Sequence, residues 1–111
     1  LNDQIKNFIN RLLQNPGRPK IIVIQADHGS AMQYHYTDIS RCDLGERFSI
    51  LNAIYLPEKN YSGFYSDQSP VNTFRLIFGA IFSKKPDLLP ERYFHSGARS
   101  RYDFLDIGDR L

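Results

Sequence analysis

A short β-branched run at residues 21–24 (IIVI) constrains the fold of this chain more than any other feature. A continuous apolar run of this length is typical of a strand buried on both faces, as in a sheet covered by helices on each side. Residues 1–14 precede it with apolar side chains at helical spacing, which predicts an amphipathic helix. The segment 15–19 (NPGRP) ends that helix, because glycine permits a left-handed cap and proline cannot continue the helix. Helix, tight loop and buried strand together predict an α/β fold.

Three further elements follow, after a polar and aromatic stretch that extends to about residue 46 and predicts a long loop. They are a strand over 48–56, a helix over 71–82 and a terminal strand near 102–107. Pro57 ends the first of them, and Ser69-Pro70 is a favoured start for the helix. This helix is apolar over most of its circumference, so we expect it to be largely buried.

The composition bounds the possible partners of the chain. Its 111 residues suit one domain. Fourteen Lys and Arg against twelve Asp and Glu leave a net charge of +2, which provides no electrostatic footprint for nucleic acid or an anionic membrane. No apolar run approaches the roughly 18–20 residues of a spanning helix. Leu1 lies directly inside the amphipathic segment, so we expect the chain to be part of a longer polypeptide.

Asp27 and His28 are the candidate metal ligands. In open α/β sheets, ligands bind just beyond the carboxyl ends of the strands, and this pair follows the apolar strand directly. Gly29 permits a sharp turn, so that both side chains could converge on one cation. A carboxylate and an imidazole suit manganese, zinc or iron better than calcium. The alternative is that Asp27 caps the next turn and His28 is an ordinary surface residue.

Other side chains give weaker signals. His35 is a candidate for a further ligand or a substrate contact, or else a loop histidine covered by neighbouring tyrosines. Arg41 and Arg47 could bind an anion such as phosphate or sulfate, although arginines beside acidic residues are more often solvated pairs. For His95 and Cys42 the sequence favours structural roles.

Three blocks in order carry a resemblance to a known family: residues 22–29 (IVIQADHG), 46–57 (ERFSILNAIYLP) and 69–75 (SPVNTFR), with 102–104 (YDF) at the end. The chain resembles the C-terminal part of sulfatase-like hydrolases and transferases of the alkaline phosphatase superfamily, near the phosphoglycerol transferases and lipoteichoic-acid synthase-like enzymes. The resemblance implies that residues 1–111 are the C-terminal segment of a sulfatase-like catalytic domain. The implied fold is a partial three-layer α/β/α alkaline-phosphatase-like sheet with flanking helices, an incomplete domain.

The resemblance also implies a reaction. Asp27 and His28 match the family's metal-ligand pair, so one divalent metal such as manganese or zinc is expected, in a site that this chain leaves incomplete. The family acts on phosphate or sulfate esters with a Thr, Ser or modified Cys nucleophile, and no Thr or Ser of this chain precedes Asp27. The attacking group is therefore expected upstream, and the segment alone is expected to be inactive.

The expected partner is the upstream part of the same polypeptide, which would cover the apolar strand and helix. For the isolated chain we expect exposed apolar surface, self-association or a missing partner segment. Nucleic acid is not an expected partner. Membrane contact is expected only through the parent protein, which the resemblance implies to be membrane-anchored with an extracytoplasmic catalytic domain. The alternative function is a non-catalytic interaction module, or a degenerate sulfatase-like remnant in which the Asp-His pair is vestigial.

Overall fold

The computed structural model describes all 111 residues and has a mixed α/β fold, as the sequence predicts. The helices are α1 (Asn2–Gln14), α2 (Leu44–Phe48) and α3 (Pro70–Phe82), and the strands are β1 (Ile22–Gln25), β2 (Asn52–Tyr55), β3 (Phe94–Gly97) and β4 (Ser100–Asp106). Single 3-10 turns lie at Ile39–Arg41 and Gly108–Arg110. None of the helices has both the length and the apolar character that crossing a bilayer requires.

The strands form two separate antiparallel pairs. Strand β1 pairs with β2, with Ile22 opposite Tyr55 and Gln25 opposite Asn52, and β3 pairs with β4. The prediction of a strand buried on both faces is wrong for β1, since all four of its residues are only half-buried. The physical reason is that β1 has a single strand neighbour, and helix α1 buries none of its residues against it.

The predicted strand over 48–56 is shorter than expected, and a helical turn occupies its beginning. Asp43 accepts a hydrogen bond from the backbone N–H of Glu46 at 2.8 Å, which caps α2 and keeps residues up to Phe48 helical. Strand β2 begins only at Asn52. The helices α1 and α3 and the terminal strand β4 lie where the sequence predicts them, whereas β3 was not predicted.

The buried core is small. Only seven residues are buried, namely Leu44, Leu56, Asn72, Thr73, Leu76, Ile77 and Ile107. Helix α1 buries none of its residues. The expectation that α3 is largely buried is wrong for one of its faces, where Val71, Phe74, Phe78, Ile81 and Phe82 are exposed.

The accessible surface area and the radius of gyration both show that the chain is less compact than a typical domain of its size. The accessible surface is 8756 Å², whereas a monomer of this mass ordinarily exposes roughly 6300 Å². The radius of gyration is 17.2 Å, against about 13 Å for a compact chain of this length. Large hydrophobic side chains, Phe8 and Phe78 among them, are exposed, which confirms the prediction of exposed apolar surface.

Asn72, in the first turn of α3, holds the segment that follows the helix. Its amide nitrogen donates to the Leu89 carbonyl at 2.9 Å and to the Glu91 carboxylate at 2.8 Å, and its amide oxygen accepts from the Leu89 N–H at 3.0 Å. Burial raises the pKa of Glu91, but hydrogen bonds from Ser69, Tyr65 and Asn72 outweigh it, so the pKa lies below its usual value. Asn72 is fully buried, so these bonds fix the position of the chain around residues 89–91.

Thr73 joins the same helix to the first sheet. Its hydroxyl oxygen accepts from the side-chain amide of Asn52 at 3.1 Å and of Gln25 at 3.3 Å, and the hydroxyl donates to the Ser69 carbonyl at 3.2 Å. Gln25 and Asn52 are register partners at the end of the β1–β2 pair. The carboxyl end of β1, from which Asp27 and His28 emerge, is thereby held against α3.

Candidate metal-binding site

The turn that carries Asp27 and His28 is fixed between the end of β1 and the end of α2. Its backbone is held on both sides, because the Ala26 N–H donates to the Leu51 carbonyl at 2.9 Å and the Gly29 N–H donates to the Arg47 carbonyl at 2.7 Å. The two candidate ligands are therefore placed by main-chain bonds that flank them.

Gly29 is required at this turn for lack of space. A β-carbon there would lie 2.6 Å from the Ser49 carbonyl oxygen, 2.9 Å from that of Arg47 and closer still to that of Glu46. Its φ is not in the left-handed region, since Gly17 and Gly63 are the glycines with positive φ. The close approach of two backbone segments, and not a special dihedral angle, explains the glycine.

The imidazole of His28 is held in one tautomer. Its Nδ1 lies 2.7 Å from the Gly29 carbonyl oxygen, and because a carbonyl can only accept, Nδ1 carries the proton. In the neutral ring this leaves a free lone pair on Nε2, the form in which histidine binds metals. In that neutral tautomer Nε2 is the ring atom that could act as a ligand.

Asp27 lies beside that lone pair. The Asp27 Oδ2 to His28 Nε2 distance is 3.7 Å, and both side chains remain accessible. Two ligands at about 2.1 Å from a tetrahedral cation are about 3.4 Å apart, so the pair needs only a small adjustment to share one ion. Asp27 accepts no hydrogen bond from the turn that follows, so the alternative role as a cap is not observed.

An open cavity of about 1320 Å³ joins this pair to side chains from distant parts of the chain. Asp27, His28 and Arg47 line it together with Tyr34 and with His95 of β3. The cavity thus lies between the β1–α2 region and the β3–β4 hairpin. It collects two of the predicted metal ligands and one of the predicted anion-binding arginines.

Arg47 is the better placed of the two predicted arginines. Its Nη1 donates to the Gly29 carbonyl at 3.4 Å, its guanidinium carbon lies 4.9 Å from the centre of the Tyr34 ring, and it makes no ion pair. Its positive charge is therefore available to an anion in the cavity. Arg41 lines a different, shallow pocket of about 480 Å³ with Cys42 and Arg110, so the structure separates it from Arg47.

His35 is not brought to the metal pair. It is half-buried, does not line the large cavity, and its backbone N–H donates to the Cys42 sulfur at 3.2 Å. No group of three or more His, Cys, Asp or Glu side chains is arranged to hold a metal ion. The role of His35 as a ligand or substrate contact stays a prediction without geometric support, and Cys42 binds only to nearby backbone groups.

Tyr34 and His95 form a contact that sequence reasoning missed. The Tyr34 hydroxyl lies 3.1 Å from His95 Nδ1, joining residues 61 positions apart. Burial raises the pKa of the Tyr34 phenol, as does nearby Cys42, while Arg47 opposes the shift. The phenol is therefore neutral near pH 7. The aromatic cluster around Tyr34 is visible in the sequence, but nothing local identifies its partner.

The donor set fits a first-row divalent metal, because a carboxylate oxygen and an imidazole nitrogen converge at an accessible position. Two protein ligands fall short of the three that catalytic zinc sites ordinarily use. Comparison with known protein families, with curated proteins and with solved structures found no match to this chain.

Proposed function

We propose that this chain is the metal-binding C-terminal segment of a sulfatase-like hydrolase or transferase that acts on phosphate or sulfate esters. The observation that carries the proposal is the Asp27–His28 pair, in which His28 Nε2 lies 3.7 Å from a carboxylate oxygen of Asp27 at the wall of a large cavity. The resemblance of the three sequence blocks supplies the reaction class.

Residues of this chain would have separate binding roles within the cavity. Asp27 and His28 would hold one manganese, zinc or similar divalent ion, which when bound withdraws charge from a phosphoryl or sulfuryl oxygen. Arg47 would bind an anionic oxygen of the ester, because its guanidinium faces the same cavity without a carboxylate partner. Tyr34, stacked against Arg47, would keep that guanidinium in place.

The rest of the site belongs to the preceding part of a longer polypeptide in this proposal. That part would supply the Thr, Ser or modified Cys nucleophile and further ligands, and would complete a three-layer sheet around β1. The exposed apolar faces of α1 and α3 support it, because they are the surfaces that such a neighbour would cover. The membrane anchor and the extracytoplasmic location are proposed for that parent protein only.

Binding of Mn²⁺ to the 111-residue chain tests the proposal. We expect substoichiometric Mn²⁺ to broaden the amide NMR signals of residues 26–29 first, since paramagnetic broadening detects even a two-ligand site. The variants Asp27→Ala and His28→Ala should abolish this selective broadening. Asp103→Asn is the matched control, because it removes a carboxylate from exposed strand β4.

Two results would count against the metal site. Broadening that follows carboxylates throughout the chain, or that survives in His28→Ala, would show that the pair does not bind the ion. In the full-length parent, Asp27→Ala should abolish hydrolysis of a phosphate or sulfate ester, and retained turnover would refute the assignment to this enzyme class.

The second candidate is a non-catalytic interaction module or a degenerate remnant of the same family. The exposed apolar side chains of α3 favour it, because an exposed apolar helix face commonly marks a protein interface. The Mn²⁺ experiment separates the two candidates, since a vestigial pair would produce no saturable, site-specific broadening.

A further inference from the structure

The large cavity contains a second histidine whose hydrogen bond differs in kind from that of His28. His28 Nδ1 lies against a carbonyl oxygen, which can only accept, whereas His95 Nδ1 lies 3.1 Å from a tyrosine hydroxyl, which can donate. The two histidines line the same cavity from different parts of the chain, the β1–α2 turn and strand β3. Their ring protons are therefore set by different partners.

The Tyr34 hydroxyl is the donor in its bond to His95. An imidazole nitrogen is a stronger acceptor than a phenol oxygen, and the phenol is neutral. The Tyr34 hydroxyl makes no other hydrogen bond, so the reverse arrangement would leave its proton without an acceptor within the protein. His95 Nδ1 is thus the accepting nitrogen, and the ring proton lies on Nε2.

We infer that His95 is an oxyanion-binding residue of this cavity, with its Nε2–H as the donor and Tyr34 as the positioning residue. The inference rests on the proposed function for its substrate class, the phosphate or sulfate group of an ester. His95 Nε2 has no hydrogen-bond partner within the protein, so its donor is free for a ligand. His28, with the opposite tautomer, has a free lone pair that suits a cation.

Arg47 strengthens the assignment. Its guanidinium carbon lies 4.9 Å from the centre of the Tyr34 ring, and the His95 ring centre lies 5.9 Å from the same point. One tyrosine thus contacts both a guanidinium cation and an imidazole at the cavity wall. A tetrahedral oxyanion presents several acceptor oxygens, and donors of these two kinds are the groups that bind it.

The tautomers can be measured directly in the unmodified chain. Two-dimensional ¹H–¹⁵N spectra of the imidazole rings at about pH 8, where histidines are mostly neutral, distinguish a protonated from an unprotonated ring nitrogen. We expect His95 to carry its proton on Nε2 and His28 on Nδ1. In Tyr34→Phe, which keeps the ring against Arg47, the tautomer preference of His95 should be lost and that of His28 retained.

Titration with inorganic phosphate and, separately, with inorganic sulfate tests binding. We expect either anion to shift the His95 ring signals, and His95→Gln and Tyr34→Phe to weaken phosphate binding by roughly fivefold, the loss of about one hydrogen bond. A stronger response to one anion would identify the ester class. The control is His35→Gln, which removes a half-buried histidine outside the cavity and should leave binding unchanged.

The inference fails if His95 carries its proton on Nδ1, or if neither anion shifts its ring signals. It also fails if His35→Gln weakens phosphate binding as much as His95→Gln does. The wild-type tautomer measurement decides the first point even where a variant folds poorly. The Mn²⁺ experiment reports independently on Asp27 and His28, so a failed metal site and a failed oxyanion site are distinguishable.

Discussion

Replacing Gly29 by alanine tests whether the candidate site depends on the contact between its turn and the end of α2. The added methyl group would lie 2.6 Å from the Ser49 carbonyl oxygen and 2.9 Å from that of Arg47, whereas ordinary contacts begin near 3.4 Å. All of the opposing atoms belong to the backbone, so no side-chain rotation relieves the clash. The two segments must therefore separate.

The free-energy cost of the Gly29→Ala substitution has two parts. Forcing an extra methyl group into a closely packed position ordinarily costs about 1–3 kcal/mol. Separation of the segments also lengthens the 2.7 Å hydrogen bond from the Gly29 N–H to the Arg47 carbonyl, which contributes about 1 kcal/mol. We therefore expect Gly29→Ala to lower the free energy of unfolding by about 2–4 kcal/mol. At about 4 °C per kcal/mol, the Tm should fall by about 8–16 °C.

Urea denaturation followed by tyrosine fluorescence and far-UV circular dichroism provides the measurement, since the chain has seven tyrosines and no tryptophan. The control is Gly45→Ala in α2, where the nearest atom to the new methyl group is the Asp43 carboxylate oxygen at 3.4 Å. Alanine should stabilise that helical position by about 0.5–1 kcal/mol. A Gly29→Ala protein within about 0.5 kcal/mol of wild type would refute the steric argument.

Two further predictions concern acid stability and association. Because the pKa of Glu91 is lowered in the folded state, its contribution to stability should be complete above about pH 4.5 and disappear as the pH falls through the lower folded value. The difference in unfolding free energy between wild type and Glu91→Gln should therefore be smaller at about pH 3 than at about pH 6. An equal difference at both pH values would contradict the assignment. The chain exposes roughly 2400 Å² more than a typical monomer of its mass, which exceeds the roughly 1600 Å² of a standard interface. We expect concentration-dependent self-association in analytical ultracentrifugation, reduced in Phe78→Ser at the centre of the exposed Phe74–Phe78–Phe82 row; a wild-type monomer at all concentrations would oppose it.

The local elements could be predicted where sequence neighbours determine them. The apolar spacing of residues 1–14 and the Ser69-Pro70 start define α1 and α3 within one residue or so, and the IIVI run defines β1. The segment around residue 48 was misassigned because a single side-chain cap, Asp43, favours a helical turn over the apolar alternation that follows.

Burial and long-range contacts could not be predicted in the same way. An apolar helix indicates which residues would bury well, but burial also needs a neighbour, and one face of α3 has none. Asn72 and Thr73 are polar residues at the start of an apolar helix, a signal that could have marked them as structural. The proximity of Asp27 and His28 was predictable because the two residues are adjacent, whereas the Tyr34–His95 contact depends on how two distant segments meet.

The pairing of β1 with β2 alone has a further consequence. A ribbon of two strands has two open edges, and along each of them backbone N–H and C=O groups lack strand partners. Such an edge accepts any extended segment that aligns with it, whether from a neighbouring molecule or from an added peptide. A short synthetic peptide complementary to β1 should therefore pair with its open edge. It would then occupy the backbone groups through which separate molecules would otherwise associate.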